Sequence, residues 1–153
     1  MNYTIEGPHL EKSAVCEPIL RALPQWFGIE EAIVHYVGEI ERLPTFLAYQ
    51  IDTVVGFLSL KLHNPYAAEV YVMGIRPEAQ RQGIGQALMQ QAEAFLRSQA
   101  VEYLQVKTLS SSHPDFNYAK TRAFYLANGF RPLEELAELW GEQNPCLLMV
   151  KRL

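Results

Sequence analysis

The chain has 153 residues, 49% of them hydrophobic and 20% charged. A chain of that size buries roughly 70% of the surface it exposes when unfolded, so it needs no disulfide or metal staple and is too apolar for general disorder. Its 13 basic and 17 acidic residues leave a net charge of −4, which argues against binding nucleic acid, because releasing counterions from phosphates calls for a basic excess.

Other classes fall on local pattern. The longest uncharged apolar stretches, residues 43–51 and 53–60, are about half the length of a membrane span. The first residues meet Glu6 and Glu11 before any apolar run, so no secretory signal and no membrane partner are expected. Cys16 and Cys146 fit no metal or redox spacing. Two lone thiols in an unexported chain point to a reducing cytoplasm. No repeat or linker divides the chain, so a single domain over residues 1–153 is expected.

In chain order, residues 3–6 form a short strand. Residues 10–23 are amphipathic at helical spacing but interrupted by Pro18, and Leu23-Pro24-Gln25-Trp26-Phe27-Gly28 ends them. Residues 30–43 form a second helix with Ile33, Val37 and Ile40 on one face. Strands follow at 45–50, 53–63 and 69–75, rich in branched and aromatic residues, with a tight turn at Ile51-Asp52. A glycine-bearing break leads into a helix over 85–98, with Leu88, Ala92, Phe95 and Leu96 as its apolar stripe. Then come a strand at 102–109, a loop, a helix over 118–128 closed by Gly129, and strands at 130–133 and 146–152. The order β-α-α-β-β-β-α-β-α-β-β mixes hairpins with crossovers, which predicts an α+β domain with a mixed sheet and helices on its faces.

The sharpest local signal is Gln80-Arg81-Gln82-Gly83-Ile84-Gly85-Gln86 between a strand and a helix. A helix N-terminus carries unpaired N–H groups and partial positive charge, so it accepts phosphate, and glycines let the anion approach the backbone. The dinucleotide fingerprint fails because Leu88 stands at its third glycine position, and no G-K-[ST] is present. Gln80-x-x-Gly83-x-Gly85, preceded by Ile75-Arg76-Pro77, instead resembles the pyrophosphate loop of the GNAT superfamily of N-acetyltransferases. Residues 121–130, Thr-Arg-Ala-Phe-Tyr-Leu-Ala-Asn-Gly-Phe, are similar to that family's A-x-x-[LF]-Y-x-x-x-G-F stretch. The resemblance runs from about residue 54 to the C-terminus, and the element order extends it to the N-terminus.

The resemblance implies a GNAT-like fold and acetyl-CoA as co-substrate, with no metal. It implies that Gln82, Gly83, Ile84, Gly85 and Gln86 offer backbone N–H groups to the CoA pyrophosphate and that Arg81 adds charge. Met73 and Ile75 would pair with the pantetheine amides through backbone atoms of a splayed strand. Gly74 marks a bulge or a close backbone approach there. Two positions depart from the family pattern. Tyr118 stands where the family often has Asn, with Asn117 one residue earlier as a candidate contact, and Thr121 replaces the usual Ala.

Making an amide from a thioester and an amine needs a base for the protonated amine and an acid for the thiolate. Tyr125 stands at the motif tyrosine, so the resemblance makes it the acid; the plain alternative is a core-edge aromatic. Glu69 is the candidate base, directly or through a water; the alternative is an exposed strand-start glutamate. With period 2, Glu69, Tyr71, Met73 and Ile75 are expected on one face. His63 and His113 are lesser candidates for a relay. Cys146 is expected to be packed, so transfer would be direct. Trp26, Phe27, Tyr36 and Trp140 are candidate acceptor contacts, and aromatics with nearby carboxylates would hold a cationic amine. The expected function is acetyl transfer to a primary amine of a small molecule or peptide. The other reading is an acyl-CoA-binding sensor with little turnover. An exposed final strand would permit a homodimer.

Overall fold

Apolar spacing decides which helix covers which face of the sheet. In α1 (Ser13–Arg21), Cys16, Ile19 and Leu20 recur every three or four residues, with Leu23 just beyond, and all four are buried. In α3 (Ile84–Ser98) the buried apolar side chains are Ile84, Leu88, Met89, Ala92 and Leu96. The two sets enter separate cores on opposite sides of one sheet. The computed structural model describes residues 2–153. The remaining elements are β1 (Thr4–His9), α2 (Glu30–Ile40), β2 (Thr45–Gln50), β3 (Thr53–Leu62), β4 (Ala67–Ile75), β5 (Tyr103–Leu109), α4 (Phe116–Ala127), β6 (Arg131–Leu136) and β7 (Cys146–Arg152).

The seven strands lie in the order β1-β2-β3-β4-β5-β7-β6. Every neighbouring pair is antiparallel except β4 with β5. The parallel pair needs a crossover, and α3 supplies it. Its stripe packs against Phe46, Leu58 and Val70 of the sheet, and Tyr125 and Phe130 join that core. On the other face, α1 and α2 cover Leu47, Phe57 and Val72. Each fully buried Leu, Ile or Phe stabilises the fold by about 1.5–3 kcal/mol relative to exposure. The expected α+β class with a mixed sheet is what forms.

Local departures from the expected boundaries have local causes. Pro18 does not break α1, which runs through it. Proline at that position forfeits the bond to the carbonyl four residues back, and burial of Cys16, Ile19 and Leu20 on the same turns offsets the loss. The fourth helix starts at Phe116 rather than 118, because Asp115 caps it by accepting from the N–H groups of Asn117 (2.8 Å) and Tyr118 (3.2 Å). At its other end, the N–H groups of Gly129 and Phe130 donate to the carbonyls of Leu126 and Tyr125, the paired bonds of a Schellman stop. Strand β4 begins two residues earlier than expected, and β6 runs on to Leu136. Among the described residues no helix is long and apolar enough to cross a membrane.

Candidate functional site

The site originates in a strand irregularity. Along β4, Leu60 pairs with Val70 but Ser59 pairs with Val72, so Tyr71 is an extra residue in the ladder. The parallel ladder to β5 ends at the same place, with Val70 opposite Val106. Beyond it the two strands part, and a cleft of about 730 Å³ opens between them. The bulge also reverses the side-chain alternation. Val70 and Ala68 point into the α3-side core, and past the bulge so do Met73 and Ile75. Tyr71 and Val72 face α1. The expected shared face of Glu69, Tyr71, Met73 and Ile75 is therefore corrected: Glu69, alternating with Ala68 and Val70, lies on the α1/α2 side. Gly74 is not the bulge. It is a close approach, where a Cβ would come within 3.1 Å of Leu23 and 3.4 Å of Ile19.

One end of the cleft is the start of α3. Arg81 and Gly83 both have positive φ, 62° and 83°, the left-handed backbone from which anion-binding turns are built. Only glycine takes such a φ without steric cost. The Ala87 N–H makes the first intrahelical bond, back to Gly83. The amides of Ile84, Gly85 and Gln86 precede it and have no partner within the helix. Gly85 answers a second need: a Cβ there would meet the Phe124 ring at 3.1 Å and Ile75 at 3.3 Å. The Gln80 amide donates to the Ile75 carbonyl at 3.0 Å and ties the loop to β4.

Helix α4 forms the far wall. Tyr125 is 6% exposed and sits edge-on to Phe124 and Phe130, with ring centroids 5.5 and 5.6 Å away. Burial pushes its hydroxyl well above the usual phenol range, with Tyr118 and Tyr36 adding to the shift. The two departures from the family pattern share one partner. Trp26 Nε1 donates to Thr121 Oγ1 at 3.0 Å, and Tyr118 Oη donates to the Trp26 carbonyl at 3.0 Å. They tie the turn between α1 and α2 to α4. Beside that turn, Phe27, Tyr36 and Tyr71 form an edge-to-face chain, with centroids 5.7 and 5.6 Å apart.

Glu69 is 5% exposed, so it is not a surface glutamate. Its Oε1 lies 2.7 Å from His63 Nε2, and accepts from Gln105 at 3.2 Å and Lys107 at 3.0 Å. Among the described residues its Oε2 takes only Lys107, at 3.2 Å. The carboxylate raises the hydroxyl pKa of both Tyr36 and Tyr71, in each case second to burial or smaller. On β5, Thr108 is 3% exposed, lines the cleft, and its Oγ1 has no hydrogen-bond partner among the described residues. Cys146 is fully buried, and burial raises its thiol to about 11.

The structure brings most of the expected residues to one place. Met73, Ile75, Gln80, Arg81, Gly83, Ile84, Gly85, Gln86 and Tyr125 all line the cleft. So do Trp26, Phe27, Tyr36 and Trp140. Glu69, Gln82 and Asn117 lie outside the lining, as do His63 and His113. The Gln82 side-chain oxygen Oε1 accepts from Gln50 Nε2 at 2.6 Å. The expected carboxylates are also missing from it: no Asp or Glu among the described residues lines the cleft. Lys107, Thr108, Tyr118, Lys120 and Thr121 line it without having been singled out as site residues. Only the departures at Tyr118 and Thr121 left a signal in the sequence.

The chain is similar to known acetyltransferases. The profile of the family described as "Acetyltransferase (GNAT) domain" matches residues 41–132. A mycothiol acetyltransferase from Beutenbergia cavernae is 32% identical over 74 residues, covering 48% of this chain. The match spans only 23% of that protein's length. Two solved structures share the fold across nearly the whole chain. Ard1 from Thermoplasma volcanium has a TM-score of 0.79 at 16% identity, with 100% of this chain and 99% of that one covered. A GNAT family acetyltransferase from Elizabethkingia anophelis, with acetyl-CoA bound, has a TM-score of 0.73 at 20% identity, with 99% of each chain covered. With the family profile spanning more than half of the sequence, from the end of α2 to β6 and across both motifs, this chain belongs to the GNAT acetyltransferases.

Proposed function

We propose that the chain moves the acetyl group of acetyl-CoA directly to a primary amine of a small molecule or peptide. The observation that carries this reading is the splay of β4 from β5, with unpaired α3 amides at one end of the cleft and the Tyr125 phenol in its wall. The amides of Gly83–Gln86 and Arg81 suit the pyrophosphate, since a helix N-terminus favours anions. The β5-facing edge of β4 beyond Val70, unpaired among the described residues, suits the pantetheine amides through Met73 and Ile75. Thr108 Oγ1, buried and unpaired, is a further donor for the same arm.

The bound thioester supplies an activated acyl carbon. Transfer forms a C–N bond there and breaks the C–S bond. The amine must shed a proton, and the departing thiolate must gain one. Tyr125, kept protonated by burial, donates to the sulfur. Glu69 lies outside the lining, and its Oε1 is saturated by three donors. It therefore acts as base through a water at Oε2, with Lys107 and His63 holding the carboxylate in place. Mixing the protein with acetyl-CoA and a panel of amines, and following free thiol release, tests the reading. Amine-dependent thiol release is expected; acetyl-CoA binding without it leaves a sensor. For the base, Glu69→Gln is expected to lower kcat about 10²-fold or more with acetyl-CoA affinity unchanged. A variant with undiminished kcat removes Glu69 from the mechanism.

A further inference from the structure

The charge inside the cleft has the opposite sign to the charge of the chain. The chain carries 17 acidic residues against 13 basic ones, yet among the described residues none of the acids lines the cleft. Its charged lining is Arg81, Lys107 and Lys120. Arg81 belongs to the α3 loop, at the end suited to pyrophosphate. Lys120 lies on α4 with its ammonium 4.7 Å above the Phe116 ring. Lys107 is the cation on the α1/α2 side of β5, the side of Tyr36, Tyr71 and the Trp26 turn.

Lys107 is held there. Its ammonium has three N–H donors. Two go to the Glu69 carboxylate, at 3.0 and 3.2 Å, which leaves one for a group in the cleft. Its side chain is only 25% exposed, so that donor is partly shielded from water. A polyamine or aminoglycoside would set its ammonium groups against Lys107 with no carboxylate in the lining to answer them. A neutral apolar amine would leave the donor unpaired. A phosphate monoester asks for several donors, and one is free.

We propose, building on the acetyl-transfer reading, that the acceptor is an amine that also carries a carboxylate beside an apolar or aromatic body, as an amino acid does. Lys107 is the counter-ion for that carboxylate, and the edge-to-face chain of Phe27, Tyr36 and Tyr71 receives the body.

The test uses matched acceptors with the intact protein at saturating acetyl-CoA. Phenylalanine is compared with phenethylamine and tryptophan with tryptamine, alongside spermidine and an aminoglycoside. The carboxylated member of each pair is expected to lead in kcat/KM by about tenfold or more, the usual worth of a charge-assisted hydrogen bond. The ratio collapses toward one in Lys107→Gln and survives in Lys107→Arg. Removing the lysine leaves buried Glu69 without its cation, so the comparison in the unaltered chain stands by itself if the Gln variant does not fold. Equal or better use of the decarboxylated amines or of spermidine overturns the proposal while leaving acetyl transfer intact. Acetyl-CoA binding by calorimetry with no turnover of any acceptor overturns the transferase reading and the proposal with it.

Discussion

At the scale of single residues, the site depends on polar groups placed where water is scarce. Burial raises the Tyr125 hydroxyl, so it keeps its proton through neutral and mildly alkaline pH. Replacing Tyr125 by Phe removes that donor and keeps the ring packed against Phe124 and Phe130. Steady-state kinetics should show kcat falling about 10²-fold or more, with acetyl-CoA affinity and Tm near those of the parent. Undiminished turnover would leave Tyr125 as a packing residue only. Thr108 makes a second case. A buried hydroxyl without a partner costs about 1–3 kcal/mol, and Thr108→Val removes the hydroxyl at nearly the same shape. The variant should be at least as stable as the parent but bind acetyl-CoA about 3- to 10-fold more weakly by calorimetry. An unchanged Kd would show that the hydroxyl does not meet the co-substrate. Tyr125 was legible because a ten-residue motif surrounds it. Thr108 and Lys107 were not, since alternating residues in Leu-Gln-Val-Lys-Thr-Leu read as any half-buried strand until the splay uncovers them. For Glu69 the sequence shows a carboxylate near the start of β4 but not its burial. Its bonds to Gln105 and Lys107 span 36 and 38 residues, a separation at which no local spacing gives a signal.

At the scale of elements, period and capping carried most of the reading. The α3 stripe, the 45–50 strand, the 53–63 strand (which ends at Leu62) and the Gly129 stop lie close to where the pattern puts them. The pattern failed at Tyr71, because a bulge is decided by the partner strand and not by the residues that make it. It failed again at the start of α4, where the Asp115 cap went unread. The contact between the α1–α2 turn and α4 was also beyond it. That contact rests on two hydrogen bonds spanning 95 and 92 residues, from Trp26 to Thr121 and from Tyr118 to Trp26. If the indole bond organises the turn, Trp26→Phe and Thr121→Ala should not be additive. Denaturant unfolding of the single and double variants should give a coupling of about 0.5–1.5 kcal/mol, the net worth of one intramolecular hydrogen bond. Strict additivity would mean that the turn is held by the packing of Trp26 and Phe27 alone. Hydrogen exchange at residues 23–28 should quicken in the Thr121→Ala variant, because those amides open when the turn lifts from α4.

At the scale of the molecule, the chain draws its stability from two cores that hold thiols and phenols away from water, and this fixes how it responds to base. Burial raises Cys16 to about 12 from an ordinary 9.0, against a weaker opposing pull from Lys12. Cys146 rises to about 11 for the same first reason. Tyr71 and Tyr118 each rise to about 12 from 10.0, again chiefly through burial, and Tyr36 and Tyr125 shift the same way. In every case the folded state holds its proton more tightly than the unfolded chain does. Below the unfolded values both states are protonated and the contribution to stability is complete. Above them the unfolded chain releases protons that the folded one keeps, so unfolding becomes steadily easier until the folded pKa is passed. Tm should therefore hold level from about pH 7 to 8.5 and fall most steeply between about pH 10 and 12. Growing negative charge also destabilises a chain that starts at −4, but salt screens that repulsion within about 10 Å at 0.1 M, whereas it does little for a buried thiolate or phenolate. Calorimetric scans across this range at low and at high salt separate the two effects. A decline that salt leaves largely in place assigns it to the buried groups, and a Tm still level at pH 11 would show that these side chains are open to water in solution.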